Sequence, residues 1–330
     1  MTRIRTPRTL RDALAVALAA AALSGAGCGR RVDPKIQEGY DLVLANKIDQ
    51  AVALANEILG KNPKSAPAHN LIGLALYKQG DPEGAVQQYR EALKLDPKYA
   101  EAHFNLGNAY QRLADAEHDA GEAQQHLQDA EAEFAAAVRY QKKFVLAHYN
   151  LATVYAATNR PDQAITELGQ CTKGDPQFFP AFVLLGKLQY ERRDFEGAIA
   201  SLTRFTELDP TSAQPRILLG NAYLQSGRED ALVKAEEAFR AAVGIDSTYI
   251  DAVYSVAVAL ASQNKNEEAA QYFRRAVALS AGRADKEPIL KQADRFFART
   301  GLPEQAPSAA DSAASSGGAT SAAPSPADKG

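Results

Sequence analysis

Apolar residues recur at helical spacing through most of this chain, and the pattern repeats itself. The run "AHNLIGLALYKQGDPEGAVQQYREALKLDP" from Ala68 to Pro97 is followed by "AHFNLGNAY" from Ala102. "AHYNLATVY" then begins at Ala147 and "AFVLLGKLQY" at Ala181. A second periodic segment accompanies each: Ala85-x3-Tyr89-x2-Ala92, Ala130-x3-Phe134-x2-Ala137, Ala198-x3-Leu202-x2-Phe205, Ala235-x3-Phe239-x2-Ala242 and Ala269-x3-Phe273-x2-Ala276. The pattern predicts pairs of amphipathic helices, each pair about one unit long. Asp-Pro and similar steps at Pro63, Pro97, Pro176 and Pro210 stop the second helix of a pair.

A small residue sits inside each first helix: Gly39, Gly73, Gly107, Ala152, Gly186, Gly220 and Ala257. Such residues let two helices approach closely. The units resemble the tetratricopeptide repeat, a 34-residue helix-turn-helix. The resemblance implies an all-α fold: a right-handed superhelix (α-solenoid) of about seven repeats, at 32–65, 66–99, 100–144, 145–178, 179–212, 213–249 and 250–283. Glu38 breaks the apolar pattern of the first unit and suits an exposed end. The third unit carries an insertion between Tyr110 and Ala130 that lengthens both its helices into a projecting hairpin with an acidic, polar tip near Gly121.

Two segments flank the array. Ile289, Leu290, Ala293, Phe296 and Phe297 are at helical spacing, and Gly301 and Pro303 follow, so 284–301 is expected to be a capping helix. Residues 302–330 are rich in Ala, Ser and Pro and are expected to be disordered. At the other end, Arg3, Arg5, Arg8 and Arg11 precede an uncharged stretch, Ala13–Leu23, and then the small residues Ser24–Gly27 and Cys28. This is the order of a secretory signal. Its end resembles the lipobox of bacterial lipoproteins, although Gly25 stands where that family has Leu. The resemblance implies lipidation at Cys28, a membrane attachment through it, and a place in the bacterial cell envelope. Cleavage after Ala26 and plain secretion is the alternative.

Composition narrows the function. The formal net charge is −3; the first 28 residues contribute +3, so the remainder carries −6. An acidic body has no electrostatic footprint for nucleic acid. Cys28 and Cys171 make no disulfide framework. No phosphate-cradling glycine loop, paired-histidine zinc motif or nucleophile elbow is present, so neither catalytic residues, cofactor nor metal is expected. His69, His103 and His148 occupy one repeat position, too far apart for one metal, and are read as structural.

The resemblance implies a concave groove lined by first helices. The expected partner-binding residues are Tyr40, Asn70, Tyr77, Phe104, Asn105, Asn108, Arg112, Tyr149, Asn150, Lys187, Tyr190, Asn221 and Tyr254. Rings with amides suit an extended peptide or a helix of another protein. The carboxylate clamp of chaperone-binding members is absent, because Glu101 would repel a carboxylate. Asn105 and Asn150 resemble two rungs of the asparagine ladder in the helical arm of O-linked sugar transferases. The chain therefore reads as a non-catalytic interaction scaffold, with service in secretion, pilus or polysaccharide-export assembly envisaged. A carbohydrate-handling module is the alternative.

Overall fold

The computed structural model describes residues 33–305. The signal-like segment, Cys28 and most of the Ala/Ser/Pro-rich tail lie outside them. The described residues form fifteen helices: α1 (Pro34–Leu44), α2 (Ile48–Lys61), α3 (Ala66–Gln79), α4 (Pro82–Leu95), α5 (Ala100–Ala116), α6 (Ala120–Tyr140), α7 (Val145–Ala157), α8 (Pro161–Gly174), α9 (Phe179–Glu191), α10 (Phe195–Leu208), α11 (Gln214–Gln225), α12 (Ala231–Ile245), α13 (Ile250–Ser262), α14 (Asn266–Leu279) and α15 (Glu287–Thr300). Each expected repeat thus holds two helices. None of these helices is long and apolar enough to cross a membrane.

Local chemistry sets where the helices begin and end. Side chains of Asp81, Asp119 and Asp194 accept from backbone N–H groups of the first turns of α4, α6 and α10. Between one pair and the next, Asp96, Asp175, Asp209 and Asp246 each accept from the N–H two residues on, at 2.8–3.1 Å. These Asx turns fix the chain direction where the second helix has ended. Within pairs, Asn46, Asn159 and Asn264 take left-handed backbone at φ 58–60°, and Arg193 does the same at φ 61°. Asparagine tolerates that region; arginine holds it at a cost.

The chain divides into two compact units, one ending at Arg192 and the other beginning at Arg193, inside the fifth expected repeat. In the first unit, Gly39, Gly73 and Gly107 of the first helices receive bulky side chains of neighbours: Leu71, Tyr89 and Phe134. A Cβ on Gly107 would lie 2.7 Å from the Phe134 ring. Phe134 is completely buried, and Phe104 packs on it and on Phe144 at centroid distances of 5.9 and 4.8 Å. The lengthened hairpin is α5 and α6, turning at Glu117–Asp119, with Gly121 already in the first turn of α6.

The second unit repeats the device: a Cβ on Gly220 would lie 2.3 Å from Phe239. Its core runs through Val253, Val256, Leu260 and Phe273 to α15. Phe296 stacks 4.7 Å from Phe273, and Phe297 closes the same cluster. Gly301, at φ 71°, ends α15 as a left-handed cap. Residues 302–304, within the span expected to be disordered, make defined contacts. Leu302 packs on the core, and Arg274 Nε donates to the carbonyls of Pro303 and Glu304 at 3.2 Å.

Candidate functional site

The first helices of the unit ending at Arg192 carry a row of amides bonded from repeat to repeat. Asn70 Nδ2 on α3 donates to Tyr40 Oη on α1 at 2.8 Å. Asn105 Nδ2 on α5 donates to Asn70 Oδ1 at 3.0 Å. Asn150 Nδ2 on α7 donates to Asn108 Oδ1 at 2.7 Å. Gln111 Nε2 donates to Thr153 Oγ1 at 3.3 Å. Tyr40 Oη also lies 3.4 Å from Tyr99 Oη. All four asparagines are buried, at 7% exposure or less, so these bonds act away from competing water.

Two atoms of this row lack partners. Asn108 Nδ2, a donor, and Gln111 Oε1, an acceptor, are buried and unbonded. They lie one turn apart on α5. A buried polar atom without a hydrogen bond costs about 1–3 kcal/mol. One lacks an acceptor and the other a donor.

The rings expected on a groove surface occupy the interior instead. Tyr40, Tyr77, Phe104 and Tyr149 are buried in the cores of their hairpins. Tyr149 packs edge-on against Phe178 at 5.2 Å, and burial pushes its phenol up to about 12. Each is large and apolar, so burying the ring between helices gains more than leaving it in water. Arg112 is partly exposed; its guanidinium lies 5.0 Å over the Tyr77 ring and donates to the Tyr77 carbonyl at 3.0 Å. Lys187 and Tyr190 on α9 are partly exposed, with Lys187 Nζ 4.0 Å from Glu191. In the other unit, Asn221 and Tyr254 are partly exposed, and the Tyr254 ring meets Phe273 edge-on at 6.2 Å.

The repeated histidines bind to the second helix of their own pair. His69 Nδ1 lies 3.0 Å from Gln88 Oε1. His103 Nδ1 lies 2.6 Å from Glu133 Oε2, and its Nε2 lies 3.1 Å from the Pro97 carbonyl. His148 repeats this with Glu167 Oε2 at 2.6 Å and the Lys142 carbonyl at 3.1 Å. With an acceptor at both nitrogens, only the imidazolium satisfies both bonds. Burial works against the charge, yet the carboxylate and carbonyl outweigh it and raise both pKa values.

Models of the tetratricopeptide repeat match residues 73–113, 121–188, 183–250 and 234–284, together more than half of the chain. The chain belongs to the tetratricopeptide repeat family. Among solved structures, the C-terminal part of a repeat protein from Cytophaga hutchinsonii superimposes with a TM-score of 0.59 at 14% identity, over 79% of this chain and 99% of that one. Pseudomonas aeruginosa pilF gives 0.54 at 17% identity, over 67% and 94%. YrrB, described as having an unusual peptide-binding site, gives 0.51 at 22% identity, over 61% and 96%. Among sequences, a DnaJ homolog subfamily C member 7 homolog of Schizosaccharomyces pombe is 27% identical over 53% of this chain. Protein FlbA of Caulobacter vibrioides is 33% identical over 26%. The chain matches well under half of these two relatives, 38% and 13% of their lengths.

Sequence reasoning passed over Gln111, Thr153 and Tyr99. Gln111 occupies the twelfth place of its repeat, the place Tyr77 holds in the one before, and that register was the signal available. Thr153 and Tyr99 enter the row only through contacts between repeats, which no single unit reveals.

Proposed function

We propose that this tetratricopeptide repeat protein is a non-catalytic scaffold that binds an extended segment of another protein along α5, beside the first helices α3 and α7. The observation that carries this reading is the unpartnered pair, Asn108 Nδ2 and Gln111 Oε1, set in a row whose other amides are bonded. Both atoms are buried, so a partner main chain would reach them only after the two side chains swing outward, and would then relieve the cost of leaving them unbonded. Recognition of main chain suits a scaffold, because every peptide carries those groups. The relative YrrB, with its peptide-binding site, lends support by analogy.

The same proposal places the protein in a bacterial envelope, held at a membrane through a lipidated Cys28, within a secretion, pilus or export assembly. Its basis is the signal-like order of residues 1–28. We prefer the scaffold to a carbohydrate module because Tyr40, Tyr77, Phe104 and Tyr149 are buried, and a sugar needs an exposed ring face.

The test is co-purification from gently solubilised membranes of the protein's source. The native chain, a double variant (Asn108→Leu, Gln111→Leu) and Cys28→Ala are compared. The expected result is a stoichiometric protein partner that the double variant loses and Cys28→Ala retains, with Cys28→Ala shifting to the soluble fraction. A partner retained by the double variant would overturn the site. Recovery of polysaccharide alone would overturn the scaffold. Unchanged partitioning of Cys28→Ala would overturn the anchor.

A further inference from the structure

Glu101 lies on the same side of α5 as Asn105, Asn108 and Arg112, since those positions fall four, seven and eleven residues further along a 3.6-residue turn. The row on α5 therefore runs from an acid, through two amides, to a cation. The two ends are supported differently. Arg112 is engaged, stacked over Tyr77 and bonded to its carbonyl. Glu101 is only partly exposed and forms no ion pair among the described residues. Its own backbone N–H favours its charge and Asp96 opposes it, and no cation acts on it among the described residues. Burial and the Asp96 charge hold its carboxyl above the usual carboxylate range. The first turn of α5 offsets part of the cost of burying this acid, and a cation brought by a partner would offset the rest.

Spacing sets where the cation must lie. Glu101 and Asn108 are seven residues apart on α5, about 10 Å along its axis. An extended peptide covers that length with about three residues. We propose that Glu101 selects a lysine or arginine of the bound segment, about three residues from the peptide unit held by Asn108 and Gln111. This rests on the binding face proposed above and gives it a charge preference and a direction. Arg112 at the far end disfavours a second cation there, so a basic segment cannot lie equally well both ways.

The probe is a positional-scanning library of capped nonapeptides, read against the full-length chain in detergent. The native chain should enrich Lys or Arg over Ala at one position, by on the order of tenfold. Glu101→Gln should still bind the library and lose that preference. Glu101→Lys should turn it toward Asp or Glu, a reversal that loss of a merely structural contact would not produce. The double variant at Asn108 and Gln111 should lose binding at every position. A native chain that binds without charge preference, or a Glu101→Gln chain that keeps it, would overturn the role of Glu101 and leave the binding face standing. A double variant that keeps a Glu101-dependent preference would overturn the main-chain contact. A native chain that enriches nothing would overturn both. Helix content and thermal midpoint of each variant, compared with native, exclude misfolding as the cause of a loss.

Discussion

The two units build their first-helix layers from different material. In the unit ending at Arg192, the layer is tied by side-chain amides: Tyr40 to Asn70, Asn70 to Asn105, Asn108 to Asn150 and Gln111 to Thr153. In the other unit, the corresponding places hold Leu218, Asn221 and Leu224 on α11 and Ser255, Val258 and Ala261 on α13, so apolar side chains predominate. Its polar bonding is gathered instead around the second helices, where Glu236 accepts from Arg240, Gln263 and Lys265 at 2.7–2.8 Å and Arg240 reaches Glu268. One fold therefore serves two ends. The second layer is mostly apolar, with Asn221 and Ser255 its partly exposed polar exceptions. An amide layer ties its repeats together and leaves two atoms, Asn108 Nδ2 and Gln111 Oε1, unpaired.

That contrast can be broken most severely at Phe273. Phe273→Ala removes the ring on which Phe296 and Tyr254 rest and should cost about 3–5 kcal/mol. Denaturant unfolding should show the loss in the unit beginning at Arg193, while peptide binding by the amide row persists. If binding collapses in parallel, the units do not divide the work. A smaller effect is expected at Asn105. Asn105→Ala deprives the buried Asn70 Oδ1 of its donor and should cost about 1–3 kcal/mol. Asn221→Ala, at a partly exposed site, should stay within about 0.5 kcal/mol. Equal costs at the two sites would erase the distinction between the layers.

Much of this architecture is legible in the chain. The alternation of small first-helix residues with Tyr89, Phe134, Phe239 and Phe273 announces the hairpins, because a ring must have somewhere flat to lie. The capping helix is legible from Phe296 and Phe297, whose spacing leaves one apolar face in need of cover. The site is less legible. Asn70 and Asn105 are thirty-five residues apart, and only stacking of one repeat on the next reveals that each satisfies the other. The same stacking carries Tyr77 and Phe104 inward, although their register alone fits a groove wall. Nor does register distinguish Asn105, whose amide is used within the protein, from Asn108, whose donor is left over.

Two weaker tests sharpen the comparison. Arg193 is exposed and held at φ 61°, so Arg193→Gly should stabilise the full chain by about 1 kcal/mol, seen as a higher thermal midpoint. The histidine contacts give only the first unit a dependence on pH. His103 and His148 have raised pKa values in the folded chain, so their contribution is complete below the ordinary histidine value of about 6.5 and fades as pH rises through the folded one. Denaturant midpoints taken from pH 5.5 to 8.5 should fall for that unit, and Glu133→Gln with Glu167→Gln should flatten the slope. A slope confined to the other unit would refute the assignment.

The last helix has a consequence for how many chains can join. A stack of like hairpins presents, at its end, the same apolar face that each hairpin presents to the next, and such a face invites another molecule to continue the series without limit. α15 occupies that face with Ala293, Phe296 and Phe297 and turns Lys291, Asp294 and Arg295 outward. It thereby closes the growing end. Removing it would leave that apolar face open to another molecule.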